Sequence, residues 1–328
     1  MADKNSNYYI DGILSGNRRI LAKTITLIES VLPAHQKLAH DIINKILPFT
    51  GKSIRLGITG VPGVGKSTFI ETLGLYLIKS GHSVAVLAVD PTSVKSGGSI
   101  LADKTRMEGL SCKEKGFIRP SPSGGTLGGV ARKTRETLLI CEAAGFDVVI
   151  VETVGVGQSE IAVASMVDFF LVLMLANAGD ELQGIKKGIL EFADAIAINK
   201  ADGDNIEKAN KAKNVYENAF DLLSHIVLNS RPKVVTCSAI EGSGIENLWN
   251  IVLENHKKLG VSGELLIKRN VQSVKWMYEL IEDGLKEKFY NTPEVKTMLP
   301  KLISDIEAGR IAPNIAAYNL LFFLDKTN

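Results

Sequence analysis

A lysine and a hydroxyl residue set directly behind a glycine-punctuated turn can grip a chain of phosphates. Residues Gly60-Val61-Pro62-Gly63-Val64-Gly65-Lys66-Ser67 satisfy the pattern GxxxxGK[ST]. They lie between an apolar β-branched run, 54–59, and a helix-forming run that begins near Ser67, the context that gives such a match its meaning. Glycine at these positions lets main-chain N–H groups turn inward around an anion where a Cβ would obstruct it, and the helix behind adds the partial positive charge of its amino end. The expected cradle comprises Gly60, Gly63, Val64, Gly65, Lys66, Ser67 and Thr68. Lys66 reaches the β- and γ-phosphates of a nucleotide, and the Ser67 hydroxyl is a ligand for Mg2+. The competing reading is a tight turn with no ligand.

A second constellation addresses the base. Asn199-Lys200-Ala201-Asp202 follows a buried apolar run, and Cys237-Ser238-Ala239 follows another. A carboxylate only accepts hydrogen bonds, so Asp202 matches the N1–H and 2-amino donors of guanine and not the acceptor edge of adenine. A capping aspartate is the bland alternative. Ser238 and Ala239 join Asn199, Lys200 and Asp202 as expected base-site residues.

Two acidic residues close apolar runs, Asp90 after "VAVLAV" and Glu152 within "DVVIVET". In open α/β sheets ligands gather outside such strand ends, where these acids can hold Mg2+ or its waters or orient an attacking water. A helix cap or solvated turn is the alternative for each. Gly155 offers an amide to a γ-phosphate. Two charged loops, one with Asp103, Lys104 and Arg106 and one with Asp180, Glu181, Gln183, Lys186 and Lys187, border the same face or are ordinary solvated loops.

The elements that position these residues read as follows. Residues 16–49 repeat apolar side chains at helical spacing, a helical N-terminal extension. Six short apolar runs then alternate with amphipathic segments. Runs without polar alternation indicate strands buried on both faces, hence a doubly wound, mostly parallel α/β sheet. From about residue 265 the text is helical only. Ile267, Val271, Val274, Tyr278, Ile281 and Leu285 form a heptad-like seam, either an internal packing face or a self-association or partner face. Thr292-Pro293 reads as an N-cap followed by proline at the first helical position.

Composition narrows the function classes. In 328 residues, 45% hydrophobic and 23% charged, a formal charge of +2 supplies no broad basic field, so a nucleic-acid partner is not expected. The three cysteines, Cys112, Cys141 and Cys237, are far apart, which fits a reduced compartment. The start has no secretion-signal pattern and no apolar run suggests a membrane span, so a cytoplasmic protein without a membrane partner is expected. The five histidines are scattered and form no ligand set.

Taken together, "GVPGVGKS", "VDPTS", "GGSILADKTRM", "VETVGVGQSE", "NAGDELQGIKKGI" and "NKAD" resemble the MeaB/ArgK family, to which the human methylmalonic aciduria type A protein is related. The likeness covers nearly the whole chain. It implies an N-terminal helical extension (1–50), a P-loop GTPase domain (51–260) and a C-terminal helical arm (261–328) that makes a homodimer. It further implies a GTPase that uses GTP, GDP and Mg2+ and acts on an adenosylcobalamin-dependent acyl-CoA mutase, typically methylmalonyl-CoA mutase, gating cofactor loading and protecting the mutase. By the same likeness Asp90, Asp103 and Glu152 join Ser67 as metal and switch positions, and Lys186 joins Lys66, Glu152 and Asp90 as a catalytic aid. No arginine finger is evident, so hydrolysis is expected to be slow without the partner. The competing classes are an ATPase or kinase linked to amino-acid transport and a nickel-delivery GTPase.

Overall fold

The computed structural model describes residues 5–89, 107–120, 127–153, 159–176, 187–224 and 231–322. They fall into two compact units, one ending at Asn270 and one beginning at Val271.

The first unit opens with three helices, α1 (Ser6–Leu14), α2 (Arg18–Glu29) and α3 (Pro33–Ile46). Asn side chains start the first two: Asn5 accepts the Tyr8 N–H, and Asn17 accepts those of Arg19 and Ile20. Pro33 occupies the first turn of α3, where a missing N–H costs nothing. α1 precedes the stretch expected to be helical; nine residues are too few for a clear period, yet Ile10 and Ile13 bury.

Among the described residues seven parallel strands follow: β1 (Ile54–Gly60), β2 (Val84–Val89), β3 (Gly116–Arg119), β4 (Val148–Thr153), β5 (Phe169–Leu175), β6 (Ala195–Asn199) and β7 (Lys233–Thr236). Their order across the sheet is β3-β2-β4-β1-β5-β6-β7, and every neighbouring pair is parallel. This is the doubly wound α/β sheet expected from the unalternating apolar runs, with β3 as an additional edge strand of four residues. Between the strands lie α4 (Lys66–Lys79), α5 (Glu108–Ser111), α6 (Leu127–Ala143), α7 (Ser159–Ala164), α8 (Lys187–Leu190) and α9 (Ile206–Ser224), and α10 (Ile245–Ser262) follows β7.

Both sheet faces are apolar because successive strand residues point to opposite sides. Ala85, Leu87 and Val89 join a core with residues of α1–α3, α6, α7 and α9. Val84 and Val86 join a second core with residues of α4, α5 and α10. The N-terminal helices thus share a core with the sheet. Gly57 permits a close approach to β5 and the segment before it: a Cβ there would stand 2.7 Å from the Phe170 ring and 2.9 Å from Val167.

At the amino ends of the central strands a buried ionic cluster holds the entry to β1. Arg55 grips Glu142 through Nε and Nη2 at 2.8 and 2.9 Å, and Glu142 also accepts the Gly51 N–H. Asp168, just before β5, accepts the Arg55 N–H and two bonds from Arg269, on the first turns of α11 (Glu264–Asn291).

The second unit contains the rest of α11, then α12 (Pro293–Glu307) and α13 (Pro313–Leu321). The seam on α11 is solvated: Val271 and Leu285 are each 62% exposed and Ile281 is 48% exposed. Thr292 does precede α12, but its hydroxyl makes no cap bond and donates back to Lys288 O at 3.0 Å. Among the described residues no helix is long and apolar enough to cross a membrane.

Candidate functional site

The chemistry-bearing residues collect at the carboxyl ends of β1, β4 and β6. β1 runs into the glycine turn. Gly60 is required sterically, since a Cβ would meet Leu173 O of β5 at 2.5 Å. Gly63 and Gly65 have φ of 79° and 90°, the left-handed region that favours glycine. A Cβ at Gly63 would meet nothing within 4 Å, so it is the left-handed backbone and not crowding that calls for glycine there. Gly65 caps α4 without any side-chain bond, leaving the first-turn amides to an anion.

Lys66 Nζ donates to Gly60 O at 2.7 Å and lies 3.4 Å from Val61 O, folded over the turn. Burial lowers its pKa, while the carboxylates of Glu152 and Glu160 pull it back up. Ser67 Oγ donates to Glu152 Oε1 at 3.4 Å, which places the expected metal-binding hydroxyl against the acid of β4. One residue further along β4, Thr153 shares a 2.6 Å hydroxyl bond with Thr59 of β1, both buried. Among the described residues no three His, Cys, Asp or Glu side chains group as a cation site. An Mg2+ ion here would take Ser67 and Glu152 from the described chain, with phosphate oxygens and water completing its shell.

The base constellation is assembled from three segments. Asn199, 1% exposed, donates from Nδ2 to Val64 O at 2.8 Å and accepts the Ala239 N–H at 3.1 Å, joining the phosphate turn to the segment after β7. Lys200 adopts φ 59°, uncommon for a residue with a side chain. Asp202 precedes the 3-10 turn Gly203–Asn205 but makes no cap bond; its Oδ2 accepts the Ser238 hydroxyl at 2.5 Å.

A model of the family described as methylmalonyl Co-A mutase-associated GTPase MeaB matches residues 21–294. The chain belongs to the MeaB family. It is 50% identical to a putative GTPase of Caulobacter vibrioides over 94% of each chain. It is 44% identical to the mitochondrial methylmalonic aciduria type A homolog of Mus musculus, over 94% of this chain and 77% of the mouse protein. A solved structure titled LAO/AO transport system kinase superposes with a TM-score of 0.77 at 38% identity, covering 99% of both chains. As a MeaB-family GTPase the chain binds guanine nucleotide and hydrolyses GTP.

Of the expected site residues, the structure brings the cradle, Glu152, Asn199, Lys200, Asp202, Ser238 and Ala239 to one end of the sheet. Asp90, Asp103, Gly155, Lys186 and the other residues singled out at 104–106 and 180–183 lie outside the described residues, and Lys187 opens α8. Two residues near this MeaB-family site were not singled out. Glu160, 2% exposed on α7, acts electrostatically on Lys66. Thr72 of α4 donates to Ala239 O at 2.7 Å. Glu160 stands in the quoted "GVGQSE", whereas nothing local marks Thr72.

Proposed function

We propose that this MeaB-family GTPase is a chaperone of an adenosylcobalamin-dependent acyl-CoA mutase, most simply methylmalonyl-CoA mutase, gating its cofactor loading and protecting it. The family match over residues 21–294 carries this reading. The mouse relative, named for methylmalonic aciduria, supports it. In this proposal Lys66 neutralises the β- and γ-phosphates and Asp202 reads guanine, with Asn199, Lys200, Ser238 and Ala239 holding the base loop. Ser67, Asp90, Asp103 and Glu152 serve Mg2+ and its waters, Gly155 senses the γ-phosphate, and Lys186 aids catalysis when the partner orders its loop. The exposed seam on α11 joins two copies into a homodimer. The protein works in the cytoplasm.

Purified methylmalonyl-CoA mutase should raise the rate of phosphate release from GTP. The site contains no arginine finger among its assigned residues, a device worth about 10³–10⁵ in rate, so unaided turnover should be slow. Turnover equally fast with and without the mutase overturns the chaperone reading. The transport-kinase title of the solved relative favours a second reading, an adenine-nucleotide enzyme linked to transport. The Asp202 carboxylate opposes it, because it offers the adenine edge no donor. Comparing ATP with GTP affinity separates the two.

A further inference from the structure

We infer that Thr72 is a positioning residue for guanine recognition, tying the base-reading segment to the phosphate-binding helix. The inference rests on the assignment of Asp202 as the base reader. Threonine inside a helix often bonds the carbonyl one turn back, and several in this chain do. Thr24, Thr26, Thr134 and Thr137 each donate to the carbonyl four residues earlier, at 2.7 to 3.0 Å. Thr72 does not. Its hydroxyl reaches 167 residues along the sequence to Ala239 O, at 2.7 Å.

The receiving segment is pinned from several sides. Asn199 holds the Ala239 N–H, and Ser238 N donates to Ser243 O at 3.0 Å. The Ser238 hydroxyl accepts the Glu241 N–H at 3.2 Å while donating to Asp202. Since a peptide unit is planar, holding the Ala239 carbonyl fixes the Ala239–Ile240 peptide as a whole. Thr72 therefore sets the turn that carries Ser238, and Ser238 aims the carboxylate. α4 begins with Lys66 and Ser67, so one helix would govern both phosphate capture and base alignment. Ala239 is 4% exposed, and losing the hydroxyl would leave its carbonyl buried without that donor.

The test compares guanosine diphosphate with inosine diphosphate, which lacks the 2-amino donor, by calorimetry on the full chain with Mg2+. Thr72→Val, matched in shape, should weaken guanosine diphosphate about tenfold and narrow its advantage over the inosine form. Thr72→Ser keeps the hydroxyl and should retain both values. A folded Thr72→Val protein with the parental guanosine-to-inosine ratio overturns the inference, whatever its melting temperature. If Thr72→Val does not fold, Thr72→Ala against Thr72→Ser supplies the same contrast. Asp202→Asn is the control for the underlying assignment. If that variant also keeps the parental ratio, base reading by Asp202 fails; if only the Thr72 variants keep it, the positioning role alone fails.

Discussion

Arg269 holds Asp168 by two parallel bonds, Nε to Oδ1 at 2.8 Å and Nη2 to Oδ2 at 2.6 Å, with the carboxylate side chain 2% exposed. The same guanidinium donates to Gly51 O and Ser53 O, so it also fastens the chain entering β1. Removing one partner of a buried pair strands the other charge, which typically costs about 3–5 kcal/mol. Arg269→Ala should lower the unfolding free energy by that order in urea titration, and Arg269→Lys should recover only part, lacking the fork geometry. A loss within the error of titration for Arg269→Ala would refute this view of the cluster.

His256 offers a pH readout of the same region. Burial lowers its pKa below the usual 6.5, with Arg269 adding to the shift and Asp168 opposing it. Its Nδ1 is buried without a hydrogen-bond partner among the described residues. A depressed folded-state value means that the neutral ring is favoured in the native protein. The contribution is present above 6.5 and lost as pH falls below it through the folded-state value. Denaturation at pH 7.5 and 5.5 should show a smaller drop for His256→Gln than for the parent; identical drops would contradict the assignment.

Lys66 is the proposed cationic group of the phosphate cradle, and its Nζ sits on the turn's own carbonyls. Replacing it removes a charged donor from a partly buried anion site, where such bonds contribute about 1.5–3 kcal/mol each. Lys66→Ala should therefore abolish tight GTP binding in calorimetry. Parental affinity in that variant would remove Lys66 from the phosphate site.

The seam on α11 is the proposed self-association face. Val274 and Ile281 are 54% and 48% exposed, so charging them should leave each folded unit intact. Val274→Asp with Ile281→Asp should convert a dimer to a monomer in sedimentation, with an unchanged melting profile for the sheet domain. A parent that sediments as a monomer throughout the micromolar range would end the homodimer proposal.

What could be read before folding followed locality. The GxxxxGKS turn and Asn199–Asp202 are short strings whose geometry is mostly their own, so their placement at strand ends was legible. The periodicity of α11 was legible too, but a repeat states which side chains share a face and not what covers that face. Thr72, and Ser67 with Glu152, depend on partners 167 and 85 positions away, and spacing along the chain carries no trace of them. α1 and β3 are nine and four residues long, below the length at which a period stands out. Thr292 shows the limit at a single residue: its position was legible, its hydroxyl direction was not.

The sheet has two rims, and both are short. β3 and β7 are four residues each. One rim ends in Arg119, paired with Glu29, and the other starts with Lys233, paired with Glu254. A foreign strand seeking to extend the sheet would find little backbone to copy and a cation at each border, which discourages fibrillar stacking. Short, charge-bordered rims thereby keep the sheet from becoming an adhesive surface for stray strands.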